Sequence, residues 1–153
     1  SAVPSGFSTL VRKEGEGKRN YGLYLASSGV LHFSLSKGNE LSGSLGTKKI
    51  NDGQWHKVTL IYDDQKGSAS YYVDGVLDVK RYHGAKLSEG VNNASVFIGD
   101  QGFKGDIDSL TIFNFYSPLP PKFLLSNYGG QEKEVDLNAD GKVNGIDFGI
   151  WKI

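Results

Sequence analysis

The chain of 153 residues balances 17 Lys and Arg against 17 Asp and Glu, which argues against the basic footprint of a nucleic-acid binder and against a polybasic membrane anchor. No apolar run approaches the roughly 18 residues of a membrane-spanning helix, so membrane insertion is not expected, and without cysteine there are no disulfides, thiolate metal sites or thiol nucleophiles. The length suits one domain with a small appendage, and the lack of methionine leads us to expect an excised fragment or a processed product.

From Phe7 to Phe115 short β-type runs are separated by glycine and polar turns. In chain order the expected strands are FSTLVRK, YGLYLA, VLHFSL, WHKVTLIYD, SASYYVDG, VLDVKRY, ASVFIGD and GDIDSLTIFNF. Ser27-Ser28-Gly29 and Asp64-Gln65-Lys66-Gly67 read as hairpin connections. Asp74-Gly75 supplies the positive φ that a two-residue hairpin turn requires. No stretch before Pro118 has a helical period, so the class is all-β, with antiparallel strands closing into a sandwich or barrel.

Alternation sorts the side chains. Tyr21, Leu23 and Leu25 share one face of their strand, Leu31, Phe33 and Leu35 of the next, then Val58, Leu60 and Tyr62, then Tyr71 with Val73. The opposite parity leaves Tyr24, His32 and Tyr72 as aromatic residues on an outer face, the pattern in this region that suggests a ligand surface. After Phe115, Ser117-Pro118-Leu119-Pro120-Pro121 ends the last strand, because proline cannot donate to a ladder. KFLLSNY reads as a helical turn or two, stopped by Gly129-Gly130. Residues 132–153 are then net acidic and mark an appendage beginning near Gln131.

NDGQWHKVTLIYD, followed by YYVDG and FIGDQGFKGDIDSLTIFN, resembles the laminin G-like, concanavalin A-like jelly-roll domains of secreted proteins, in order and spacing as well as in motif. KFLLSNYGG looks like the short helix that often closes them. The resemblance covers about residues 7–129. It implies a jelly-roll β-sandwich over 1–130, secreted or displayed at a cell surface, acting as a non-catalytic carbohydrate-binding or adhesion module. The implied partner is a polysaccharide or glycoconjugate. Members of that family usually have further strands ahead of the equivalent of FSTLVRKEG. With only SAVPSG there, an open sheet edge is expected, a template for strand addition. An enzyme is not expected. Asp106 and Asp108 flank Ile107 as in jelly-roll glucanases, but the next positions, Ser109, Leu110 and Thr111, lack the further carboxylate of that strand, and retaining glycosidases work with paired carboxyl groups about 5–5.5 Å apart.

Residues 131–153 carry a second resemblance. Asp136-Leu137-Asn138-Ala139-Asp140-Gly141-Lys142-Val143-Asn144-Gly145-Ile146-Asp147 is similar to one calcium-binding half of a dockerin, the module that plugs into cohesins. The chemistry agrees, since calcium takes 6–8 hard oxygen ligands from alternate positions of a tight loop. Asp136, Asn138 and Asp140 supply side chains, Lys142 its backbone carbonyl, Asn144 the ninth position and Asp147 the twelfth. Dockerins carry two such loops, and only one D-x-N-x-D-G is present. From Gly145 to Ile153 we expect a short helix. Ile146, Ile150 and Ile153 would form one apolar stripe, with Phe148 and Trp151 on another. A helix apolar all round is buried, so Ile146, Ile150 and Trp151 are the expected contacts with the sandwich, a cohesin-like protein or a second copy of the chain.

Overall fold

The computed structural model describes residues 6–100, 102–113 and 146–151, the last of these as backbone only. Among the described residues there are ten strands: β1 (Phe7–Gly15), β2 (Lys18–Ala26), β3 (Val30–Lys37), β4 (Glu40–Lys49), β5 (Lys57–Asp63), β6 (Ser68–Val73), β7 (Val76–Tyr82), β8 (Val96–Ile98), β9 (Asp108–Ile112) and β10 (Ile146–Trp151). A 3₁₀ turn, Leu87–Gly90, lies between β7 and β8. The strands form two five-stranded sheets, ordered β4-β3-β2-β1-β8 and β7-β6-β5-β10-β9, antiparallel throughout.

The two sheets share one core. Leu10, Val11, Tyr21, Leu23, Leu31, Phe33 and Leu35 come from the first, and Val58, Leu60, Tyr62, Ala69, Tyr71 and Val73 from the second. From β2 to β6 these inward sets follow the period-two alternation, except that Leu25 is only half-buried, while the consecutive Leu10 and Val11 both reach the core through a register shift in β1. The hairpin turns also sit where their residues demand. Asp74 and Gly75 both have positive φ (56° and 78°) between β6 and β7, the requirement of a two-residue turn that matches strand twist.

Two elements differ from expectation. Strand β4 falls in ELSGSLGTKK, which has no apolar alternation and carries Gly43 and Gly46 inside it. It is an edge strand, held by its register on β3 from Lys37↔Glu40 to Val30↔Lys49 rather than by burying a side-chain face. The second is the tail. Residues 146–151 form strand β10, not a helix, lying between β5 and β9 with Ile146 opposite Tyr62 and Trp151 opposite Lys57. Ile146, Ile150 and Trp151 therefore sit in a ladder between two strands of their own chain instead of along a helical stripe. The physical reason is the demand of β5. From Val58 to Asp63 that strand is buried, and a buried strand cannot leave the backbone groups of one edge unpaired. Ile146, Phe148 and Ile150 also recur with period two, and Gly149 weakens a helix. The KFLLSNY segment and the loop residues Asp136, Asn138, Asp140, Lys142 and Asn144 lie outside the described residues. Asp147 is in β10, opposite Ile61.

Candidate functional site

The outer face of the first sheet carries rows of residues set by strand register. One row runs Thr9, Tyr24, His32, Leu45 across β1 to β4, and the next runs Arg12, Gly22, Ser34, Gly43. A third begins with Glu14 opposite Arg19. Two register shifts in the β1–β2 pair build this face. One adds Leu10 between Thr9 and Val11, and the other adds Asn20 between Arg19 and Tyr21. An extra residue in one strand flips the side on which the following residues emerge. Strict alternation would put Arg19 in the core with Tyr21, whereas the bulge brings it out beside Glu14.

The two glycines make room for the aromatic row. A Cβ built on Gly22 would stand 2.3 Å from Tyr24 Oη, and one on Gly43 would stand 2.7 Å from His32 Nε2. Both rings therefore lie down over glycine backbone. Phe7 completes the cluster, with its ring centroid 4.5 Å from that of His32 and 6.4 Å from that of Tyr24, while the Tyr24 and His32 centroids are 5.8 Å apart. Tyr24 is only 1% exposed and His32 is half-buried. Tyr24 Oη and His32 Nδ1 are shut off from solvent, and neither has a hydrogen-bond partner among the described residues.

Behind the aromatic row runs an ionic chain. Arg12 donates from Nε and Nη2 to Asp100, the shortest contact being 2.7 Å, and its Nη1 lies 3.7 Å from Glu14. Arg19 donates from Nε (3.1 Å) and Nη2 (2.8 Å) to Glu14, and from Nη1 (2.7 Å) to Ser34. The Arg19 guanidinium also sits 5.2 Å from the centre of the Tyr24 ring, and that of Arg12 sits 4.7 Å from the centre of Phe97. Arg12, Glu14 and Arg19 are all buried. Burial, helped by the Arg19 charge, pushes His32 down to about 4, so its imidazole is neutral. Burial also lifts the Tyr24 phenol to about 12, and the Arg12 hydrogen bonds hold Asp100 below the usual carboxylate range. The result is a buried polar and aromatic layer on this face, in which two guanidiniums and two carboxylates cancel in charge.

Tyr72 does not join it. It lies on β6 in the other sheet, opposite Thr59 and Leu77, and is 4% exposed. The expectation of three exposed aromatics on one face is corrected in two respects: only Tyr24 and His32 are neighbours, and Tyr24 and Tyr72 are buried. Alternation assigns a residue to a side of its own sheet, but says neither which sheet that is nor whether the side is solvated.

Two other histidines are held by networks. His83 is buried between the sheets, with Ser42 Oγ 3.1 Å from Nδ1 and Ser44 Oγ 2.8 Å from Nε2. Ser44 Oγ is also 2.7 Å from Tyr71 Oη. Burial lowers His83, and two hydroxyls rather than a carboxylate orient it, so the cluster reads as a polar tie between β4 and the second sheet. Its sequence signal was the Ser-x-Ser alternation in β4, where an apolar pair would be usual. His56 lies between Asp74, 3.0 Å from Nδ1, and Asp52, 3.0 Å from Nε2. Partial burial opposes its charge, but the bonds to the two carboxylates outweigh that and raise it. Asp106 and Asp108 are both exposed at the entrance to β9. Among the described residues no group of three or more His, Asp or Glu side chains is arranged to hold a metal ion.

A family model described as the concanavalin A-like lectin/glucanases superfamily matches residues 1–117. No curated protein and no solved structure matches the chain.

Proposed function

The chain belongs to the concanavalin A-like lectin/glucanases superfamily, and from that premise we propose that it is a non-catalytic carbohydrate-binding module whose site is the Tyr24 and His32 face of the first sheet. The observation that carries this is a pair of polar atoms on cross-strand neighbours, Tyr24 Oη and His32 Nδ1, each buried without a partner among the described residues. Leaving such a group unsatisfied costs about 1–3 kcal/mol, and a sugar hydroxyl, both donor and acceptor, satisfies either one. The Tyr24 hydroxyl is as covered as its ring, so a sugar reaches it only when a half-buried neighbour, Phe7 or His32, swings aside. The half-buried Phe7 ring is the apolar surface beside it. Tyr24→Phe deletes the hydroxyl and keeps the ring. With a glycan selected from an array of plant, microbial and animal oligosaccharides, calorimetry should show affinity reduced about tenfold, the scale of one lost hydrogen bond. Unchanged affinity would remove this face from the site.

The finer parts of this reading are that the module works outside the cell and that one Ca²⁺ is held by Asp136, Asn138, Asp140, Lys142, Asn144 and Asp147. The donor set supports the latter, since oxygen ligands at alternate positions around Gly141 suit a hard cation. Calcium titration of the whole chain should release heat and raise the thermal midpoint. A midpoint unmoved by chelation would sink it.

An assembly role is favoured by a different observation. Val96, Phe97 and Ile98 of edge strand β8 are consecutive, apolar and 41–53% exposed, a template for edge pairing with a second copy. A molar mass that rises with concentration supports this reading, and a monomer over the micromolar range removes it.

A further inference from the structure

We propose that Asn93 is a site of N-linked glycosylation, and that the glycan it carries covers edge strand β8 and holds copies of the chain apart. The proposal rests on the reading that the module works outside the cell, and it is independent of the Tyr24 and His32 face.

Of the nine asparagines in the chain, Asn93 alone is followed two positions later by a hydroxyl, in Asn93-Ala94-Ser95, the acceptor pattern for this modification. The fold presents that tripeptide as an acceptor has to be presented. It lies in the irregular segment between the 3₁₀ turn and β8. The residues on either side of Asn93 anchor the segment. Asn92 is buried, donates to the carbonyls of Lys18 (3.2 Å) and Gly90 (2.9 Å), and accepts from the Ala94 N–H (3.0 Å). Ala94 packs against Gly15, where an added Cβ would stand 2.6 Å from its own, and its carbonyl accepts from Lys13 Nζ. Asn93 and Ser95 alternate with these anchors and are exposed. The Asn93 amide takes no part in the anchoring bonds, so a bulky substituent on it displaces none of them.

The position gives the glycan a task. β8 begins three residues on, and Val96, Phe97 and Ile98 are exposed there. About 10 Å of extended chain separates Asn93 from Val96, a span that a glycan of several sugars exceeds. An apolar sheet edge is a pairing hazard that proteins manage by covering it, and a hydrated oligosaccharide covers it without burying backbone. In the transfer, Nδ2 of Asn93 bonds to the anomeric carbon of a sugar carried on a lipid pyrophosphate. The bond from that carbon to the phosphate oxygen breaks, the pyrophosphate leaves with the electron pair, and the amide gives one proton to a base of the transferase.

The test is peptide mass spectrometry of the whole protein recovered from the cells that make it and from their medium. Exported protein should carry a glycan at Asn93. Asn93→Gln and Ser95→Ala should lose it, and Ser95→Thr should keep it. Exported protein with an unmodified Asn93 would overturn the site and leave the extracellular reading standing. Protein found only inside the cells would overturn that reading, and the site with it. Covering of β8 has its own readout in molar mass against concentration. The glycosylated chain should stay a monomer over the micromolar range, whereas enzymatic removal of the glycan, or Asn93→Gln, should make it self-associate. A molar mass unmoved by deglycosylation would overturn the covering of β8 and leave the modification standing.

Discussion

A histidine with a carboxylate on each ring nitrogen has a definite pH signature. His56 has one, with Asp74 and Asp52 each at 3.0 Å, and its folded pKa is raised above the ordinary value of 6.5. Its contribution to stability is therefore complete below about pH 6.5 and is lost as pH rises through the raised folded pKa. The thermal midpoint of the unmodified protein should fall across that alkaline step, and that of His56→Gln should not. Parallel profiles would contradict the bridge. His32 has the opposite sign, since its folded pKa is pushed down to about 4. The stability it confers is present above about pH 6.5 and lost as pH falls toward 4, so the two residues separate cleanly on opposite sides of neutrality. Gly22 gives a steric test on the same scale. Its Cβ would lie 2.3 Å from Tyr24 Oη, so Gly22→Ala must displace that ring. A cost of about 1–3 kcal/mol is expected in denaturant unfolding, together with weaker glycan binding. A neutral Gly22→Ala would show that Tyr24 does not lie over the backbone there.

At the level of elements, patterning and turn chemistry identify the strands that bury a face and miss those that do not. β3 and β5 are legible because their apolar residues alternate. β4 is not, because its inward residues, Ser42 and Ser44, satisfy His83 and its outward Gly43 makes space for His32. β10 is ambiguous in sequence, since IDFGIW is apolar at helical and at strand spacing alike, and the decision comes from β5, more than eighty residues earlier. This placement has a direct consequence. Gly149→Pro removes a backbone donor from a strand paired on both sides, which should destabilise the whole sandwich by roughly 1–3 kcal/mol for the stranded group. An appendage helix independent of the sandwich would transmit nothing, so unfolding of the β-core unchanged by Gly149→Pro would contradict β10.

Across the whole molecule, the site is legible only in part. Tyr24 and His32 were readable as aromatics of the wrong parity for the core, but the ionic chain behind them was not. Arg12 and Asp100 are 88 positions apart, and it takes register across β1, β2 and β8, with a bulge at Asn20, to align Arg19 with Glu14. No local motif encodes such a row. The central claim is that this face of the first sheet, rather than the loops at the end of the sandwich, receives the sugar. Its most direct test is a ¹H–¹⁵N NMR titration of the whole chain with an oligosaccharide selected from the array. The account predicts that the perturbed amides cluster at Phe7, Gly22, Tyr24, His32 and Gly43 on three neighbouring strands and the start of a fourth. Perturbations confined to the connections around residues 50–56 and 102–107 would contradict it.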